Sequence, residues 1–388
     1  MIYLDNAAST QISESVLDSM LPYLNHLYGN PSSIHRSGRL SRKAIEKARK
    51  QIASLINADP SEILITSGGT ESNNTALMGI LTNLSGRIIT SSIEHDAILK
   101  PCKNLEQKGC DVVYLPADKF GMINPLDLKK NISQNTRLVS IMFGNNEVGT
   151  VQPISEIARI CNENKILFHT DAVQAVGKIP IDVKELDVDL LSISSHKIYG
   201  PKGIGALYIK NGINIDPVIL GGGQENGLRS GTENVANIVG FGQACEIAKN
   251  NLQKNICHIK NLQSLLIEKI LHEIPTVTLN GHPEARLPNN THFTFLGVNG
   301  EDLIIKLDEY EIAASTGSAC SVNTQKASHV LQAMGFSHEQ ITGSLRLTIG
   351  IFNNQKEILH TVDILKKVVE ELRSVSPFKE KYSFTSEH

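Results

Sequence analysis

The stretch DLLSISSHKIYGPKGIGALYI, residues 189–209, sets the reading of the whole chain. It opens as an apolar, β-rich run with Leu190, Leu191 and Ile193, then gives way to Ser194, Ser195, His196 and Lys197. Gly200, Pro201, Gly203 and Gly205 follow before a second apolar run. Locally this is a strand, a glycine-held turn and another strand, and the plainest account of Lys197 is a solvated turn residue.

The same pattern recurs on both sides. Strand-length runs stand at 62–66 within EILITSGGT, at RIITS (87–91), DVVYL (111–115), RLVSIMF (137–143), KILFHTD (165–171), DLLSIS (189–194) and GIGALYI (203–209). Between them lie segments with helical spacing. Residues 37–56 place Leu40, Ala44, Ile45, Ala48, Ile52, Leu55 and Ile56 on one stripe, and helices are predicted from Thr70 through Leu84, over 95–108 and over 154–164. Short apolar runs that do not alternate imply burial on both faces, so an α/β fold is expected, with a mainly parallel sheet of about seven strands covered by helices.

Beyond LGGGQENGLRSGT (220–232) a long amphipathic helix is predicted over 233–270, with one break. The order then changes. TVTLN, THFTFLG, the helical GEDLIIKLDEY, IAAST, a helix over 329–334, SLRLTIG and a last helix over 356–375 make a smaller α+β unit. The division expected is a large α/β domain over 13–255 and a small domain built from 1–12 and 256–388.

Bulk properties narrow the chemistry. The 388 residues carry 37 basic and 40 acidic side chains, for a formal net charge of −3, so no basic footprint for nucleic acid is present. No run of about 18 apolar residues and no secretory leader pattern occurs, so a cytoplasmic protein without a membrane partner is expected. Six scattered cysteines without a Cys-x-x-Cys pair, and no His-Glu-x-x-His, argue against a disulfide framework and a resident metal.

Ligands of open α/β sheets bind beyond the carboxyl ends of the strands. The residues there are Gly69 and Thr70, His95, Asn146, Asp171 and Gln174, and Ser194, His196 and Lys197. The glycine turn before Thr70 opens a helix whose N–H groups suit a phosphate, with Ser194 and His196 as further donors, although such turns are usually only turns. Taken alone, Asp171 reads first as a cap for a helix at AVQAVG, and His95 as a cap or surface residue. Taken together, the set suits pyridoxal phosphate. An aspartate keeps its ring nitrogen protonated, and a partly desolvated lysine forms an imine with its aldehyde.

Ten blocks in order carry a resemblance: YLDNAAST, YGNPSSIH, SGGTESNN, EHDAI, NNEVGTVQPI, HTDAVQAVGK, SSHKIYGPKGIGALY, GGGQENGLRSGT, STGSACS and LRLTIG. From Tyr3 to Gly350 the chain resembles the class I cysteine desulfurases, the NifS/IscS-like group of fold-type I pyridoxal-phosphate enzymes. The resemblance implies that Lys197 bonds the cofactor aldehyde, that Asp171 meets the pyridinium nitrogen, and that Gln174 donates to the ring oxygen. It implies that His95 stacks on the ring and moves protons at the thiol or enamine. Gly69, Thr70, Ser194 and His196 are implied phosphate ligands, and Thr232 is implied to reach the phosphate of a neighbouring subunit in a homodimer. Asn146 and Arg346 are the implied holders of the substrate carboxylate. Arg346 otherwise reads as one exposed position of an alternating strand.

Cys320 differs from Cys102, Cys110, Cys161, Cys245 and Cys257, which read as small buried hydrophobes. Around it STGSACSVNTQKAS supplies small and polar residues, which predicts a mobile loop with an accessible thiol. By resemblance Cys320 takes sulfur from L-cysteine as a persulfide, leaves L-alanine, and passes the sulfur to an acceptor protein. The C-terminal SPFKEKYSFTSEH does not match the scaffold-docking segment of the housekeeping members, so iron–sulfur assembly, tRNA thiolation and DNA phosphorothioation all stay open as destinations. Selenocysteine lyases and small-molecule aminotransferases are the rival enzymes on this fold, and a silent sulfur-transfer scaffold is the rival outside enzymes.

Overall fold

The computed structural model describes residues 1–81, 86–316, 327–376 and 379–382. Seven strands form the main sheet: β2 (Ile63–Thr66), β3 (Arg87–Ser91), β4 (Asp111–Leu115), β5 (Thr136–Ser140), β6 (Leu167–Asp171), β7 (Leu190–Ser194) and β8 (Gly205–Ile209). Their order is β2-β8-β7-β6-β5-β3-β4. Only β8 runs against the others, pairing antiparallel with both β7 and β2. Every residue of β7 and β8 is buried, Ser192 and Ser194 included, in keeping with runs that do not alternate.

Between β4 and β5 the chain returns to the inner side of β3 and then advances through β6 and β7. The carboxyl ends of β3, β5, β6 and β7 therefore open on one side of the sheet, around the point where the winding reverses. Helices cover both faces. In Arg36–Leu55 the residues Ser41, Ala44, Ile45, Ala48, Ile52 and Leu55 are buried at three- and four-residue intervals, and charged residues occupy the remaining face. The helix Glu14–Asn25 was not foreseen from the sequence, although Val16, Leu17, Met20, Leu21 and Leu24 follow helical spacing in it; only Val16 and Met20 are buried.

The long helix runs unbroken from Val235 to Glu273, roughly 58 Å at 1.5 Å per residue. The expected break is absent because no proline or glycine follows Gly242 within it. Phe241, Ala244, Cys245 and Ala248 belong to the core of the main sheet, whereas Ile259, Leu262, Leu266 and Ile270 belong to a second core. A Cβ at Gly242 would lie 2.6 Å from Ala48 Cα, so the two helices touch backbone to backbone there.

The second core packs under the antiparallel sheet formed by β9 (Val277–Leu279), β10 (Asn290–Phe295) and β12 (Ser344–Thr348), in the order β12-β10-β9. The chain's first strand, β1 (Ile2–Tyr3), pairs in parallel with β11 (Ile312–Ala313). Leu4 joins the same core, and the next residues, 5–10, then cross to the carboxyl ends of the main sheet. Among the described residues no helix is long and apolar enough to cross a membrane.

Candidate active site

Lys197 closes a single 3-10 turn, Ser195–Lys197, directly after β7. Its Nζ donates to Ala7 O at 2.5 Å and Ala8 O at 2.7 Å. The solvated-turn reading therefore does not hold. The N-terminal segment is itself pinned over this turn: Thr10 donates from N and Oγ1 to His196 O, both at 2.9 Å, and Thr10 Oγ1 accepts from Tyr199 N at 2.8 Å. Beside it, His196 Nδ1 lies 3.2 Å from Ser9 Oγ. Burial, with the positive charges of Lys197, Lys202 and Lys178 around it, pushes the His196 imidazolium down to about 4, so this ring is neutral at pH 7.

Asp171 ends β6 and is 6% exposed. Its Oδ2 accepts from Asn73 Nδ2 at 2.6 Å, and its Oδ1 accepts from Val173 N at 3.0 Å. The capping half of the sequence reading is thus present, but what it caps is a run of turns over 173–178 and no helix. Gln174 lies in that turn and donates from Nε2 to Ala7 O at 2.9 Å. Ala7 O accordingly receives both Gln174 and Lys197.

His95 follows β3 and caps the helix Asp96–Gln107, with Nδ1 accepting from Ala97 N at 3.0 Å. Since a backbone N–H can only donate, the ring proton of the neutral imidazole sits on Nε2. The residue before it, Glu94, is fully buried: Oε1 accepts from Ser91 Oγ at 2.6 Å and from Met142 N at 2.9 Å. Burial and the negative charge of Asp171 push the Glu94 carboxyl up to about 8.

Arg346 stands in β12 and is 2% exposed, which overturns the exposed-strand reading. Its guanidinium donates to Asn146 O at 2.9 Å and meets Asp5 Oδ1 at 2.8 Å. The small sheet thereby hands a cation to the large one, and the two predicted carboxylate holders lie side by side.

These groups share one cavity of about 350 Å3. Gly69, Thr70, His95, Asn146, Asp171, Gln174, Ser194, His196, Lys197 and Arg346 all line it. At one wall stands the N-terminus of the helix Gly69–Ile80, whose cap, Gly68, has no side chain to satisfy the first N–H groups. A Cβ at Gly69 would lie 2.7 Å from Val173 Cγ2, so this helix end approaches the Asp171 turn as closely as glycine permits. The cavity thus joins orphan N–H donors, an amine and a buried carboxylate, a donor set matched to the phosphate, aldehyde and ring nitrogen of pyridoxal phosphate.

Thr232 is exposed and does not line the cavity. Cys320 lies outside the described residues. The sequence reading missed Ala7, Ala8 and Asp5, which act through backbone carbonyls or a distant pairing and leave no spacing signal. It also missed Asn73, inside SGGTESNN, and His329, which lines the cavity and bonds from Nε2 to Glu94 O at 2.9 Å. Among the described residues no cluster of His, Cys, Asp and Glu is suited to a metal.

The sheet order and a lysine placed just after β7 define fold type I, the α/β architecture of pyridoxal-phosphate enzymes. Within it, the chain belongs to the aminotransferase class-V family, which it matches over residues 2–360. It is 48% identical to the cysteine desulfurase IscS of Dictyoglomus turgidum, over 98% of each chain. A solved NifS-like protein superposes with a TM-score of 0.89 at 39% identity, covering 96% of this chain and 100% of that one. The structure of SspA in complex with cysteine superposes with a TM-score of 0.81 at 38% identity, covering 91% and 100%.

Proposed function

We propose that the protein is a cysteine desulfurase that uses pyridoxal 5′-phosphate to move the sulfur of L-cysteine onto Cys320. The observation that carries this reading is the placement of Lys197 Nζ and the Asp171 carboxylate on one cavity that also takes in a bare helix N-terminus and Arg346. In this reading Lys197 bonds the cofactor aldehyde, Asp171 meets its ring nitrogen, Gln174 its ring oxygen and His95 its ring face, while Gly69, Thr70, Ser194 and His196 hold its phosphate. The cofactor supplies an acceptor for the electrons left at Cα when a proton departs.

The remaining work falls to the chain. Arg346, oriented by Asp5, and Asn146 hold the substrate carboxylate through forked donors. Lys197 Nζ takes the proton from Cα. His95, whose Nδ1 is engaged by Ala97, exchanges protons through Nε2. The Cys320 thiolate attacks the substrate sulfur; an S–S bond forms, the carbon–sulfur bond breaks with its electron pair moving to Cβ, and protonation of Cβ together with return of the proton held by Lys197 to Cα leaves L-alanine. A persulfide stays on Cys320 and passes to an acceptor protein, which serves iron–sulfur assembly, tRNA thiolation or DNA phosphorothioation.

A homodimer is part of this reading. Thr232 is exposed away from the cavity of its own chain, and Leu17, Leu21 and Leu24 lie exposed along one short helix, with Tyr28 and Ile34 beyond it. Sedimentation at micromolar protein checks the dimer.

Two measurements test the activity. Borohydride reduction followed by peptide mapping should place the cofactor on Lys197. Cys320→Ala should abolish sulfur release from L-cysteine; full release by that variant refutes the desulfurase reading. Mass spectrometry of mixtures with candidate acceptors identifies the one that gains sulfur.

A further inference from the structure

Lys178 is buried, 7% exposed, and has no place in the chemistry above. It follows Gly177, whose φ of +74° turns the chain back on itself at the end of the Asp171 turn. Its Nζ donates to Gln174 O at 3.1 Å and to Gln174 Oε1 at 3.3 Å. Among the described residues no carboxylate pairs with it; the charged groups that act on it are Lys197 and Arg346, both cationic, and the neutral His196 ring lies within its field. A buried ammonium without a counter-ion is costly and needs a reason.

We propose that Lys178 is a positioning residue that fixes the amide of Gln174 in one of its two orientations. An amide flips readily unless its oxygen and nitrogen meet different partners. Here the Lys178 ammonium can only donate and so takes Oε1, and Ala7 O can only accept and so takes one hydrogen of Nε2. The second Nε2 hydrogen is thereby committed to the cavity side, where Gln174 is a lining residue. Lys178 acts in this way only if Gln174 is the donor to the cofactor's ring oxygen, so the two claims must fail separately. Burial and the two neighbouring cations pull the Lys178 ammonium down to about 7, and the neutral amine keeps two N–H donors for the same oxygen.

The test is a pH titration of the visible absorption of the holoenzyme, comparing wild type, Lys178→Met, Lys178→Arg, Gln174→Ala and the Lys178→Met/Gln174→Ala double variant. A hydrogen bond to a charged oxygen is worth about 1.5 kcal/mol, or roughly tenfold in proton affinity. Gln174→Ala should raise the midpoint by about one pH unit, because the ring oxygen loses a donor. Lys178→Met should raise it by a similar amount, and the double variant should add nothing further. Lys178→Arg keeps a donor, and the small cavity beside Gly177, Ile198 and Ala248 gives it room, so its midpoint should stay near wild type.

A shift in Gln174→Ala without one in Lys178→Met overturns the role of Lys178 and leaves Gln174 in place. A Lys178→Met shift that persists undiminished on the Gln174→Ala background also overturns it, because a bare charge effect is then sufficient. No shift in Gln174→Ala overturns both. Should Lys178→Met not fold, a Lys178→Arg midpoint displaced to that of Gln174→Ala refutes positioning by a donor.

Discussion

Glu94→Gln should shift the stability of the protein in a direction that becomes more favourable as pH rises. The Glu94 carboxyl is fully buried, and among the described residues its Oε2 has no partner. Burial, reinforced by Asp171, moves it from 4.5 to about 8. A group whose folded pKa lies above its unfolded one contributes its full stability below the unfolded value, and that contribution drains away as pH rises through the folded value. Each unit is worth about 1.4 kcal/mol, so the wild type loses roughly 4 kcal/mol through this one group between pH 5 and pH 8. Glutamine carries no charge, and its Oε1 can still accept from Met142 N and Ser91 Oγ. Its NH2 at the Oε2 site lacks an acceptor, which costs about 1 kcal/mol at every pH. The variant should therefore be slightly the weaker protein at pH 5 and stronger by about 3 kcal/mol at pH 8. His169 and His292, buried and held neutral with their pKa values pushed down to about 3, weaken both proteins alike on the acid side, so the difference isolates position 94. Urea unfolding of both holoenzymes at four pH values from 5 to 8.5 measures it. A difference that stays constant across that range refutes the reasoning.

Three further outcomes follow from the geometry. Gly69→Ala places a methyl 2.7 Å from Val173 Cγ2 and should cost about 1–3 kcal/mol; Val173→Ala in the same chain should restore most of it, as thermal unfolding of the single and double variants will tell. Asp171→Asn can keep the contact from Val173 N but loses the charge, so it should retain the cofactor's absorption while turnover falls roughly a hundredfold or more, read by single-turnover kinetics. Ser328 Oγ donates to the buried Glu147 at 2.5 Å and accepts from Leu331 N at 3.2 Å; Ser328→Ala should cost about 1–3 kcal/mol, visible as a lower denaturation midpoint.

Residues 189–209 already contain the reason for their fold. A mostly apolar, non-alternating strand, a polar step and a second apolar strand are best buried inside a covered sheet, and β7 and β8 lie where that logic puts them. The strand-end residues Asp171, Ser194 and Lys197 were legible for the same reason, because burial on both faces leaves chemistry only at the ends. Those are properties of local sequence, carried by the period of the apolar residues. Three-dimensional packing decided the rest. The partners of Lys197 are carbonyls of Ala7 and Ala8, 190 and 189 residues away, and Arg346 meets Asp5 across 341. Backbone carbonyls look alike in any sequence, and such pairings exist only once the chain's first residues cross from the small sheet to the large one. The orientation of Gln174 and the burial of Glu94 and Lys178 belong to the same category, since desolvation is a property of what surrounds a residue and is written nowhere in its neighbours along the chain.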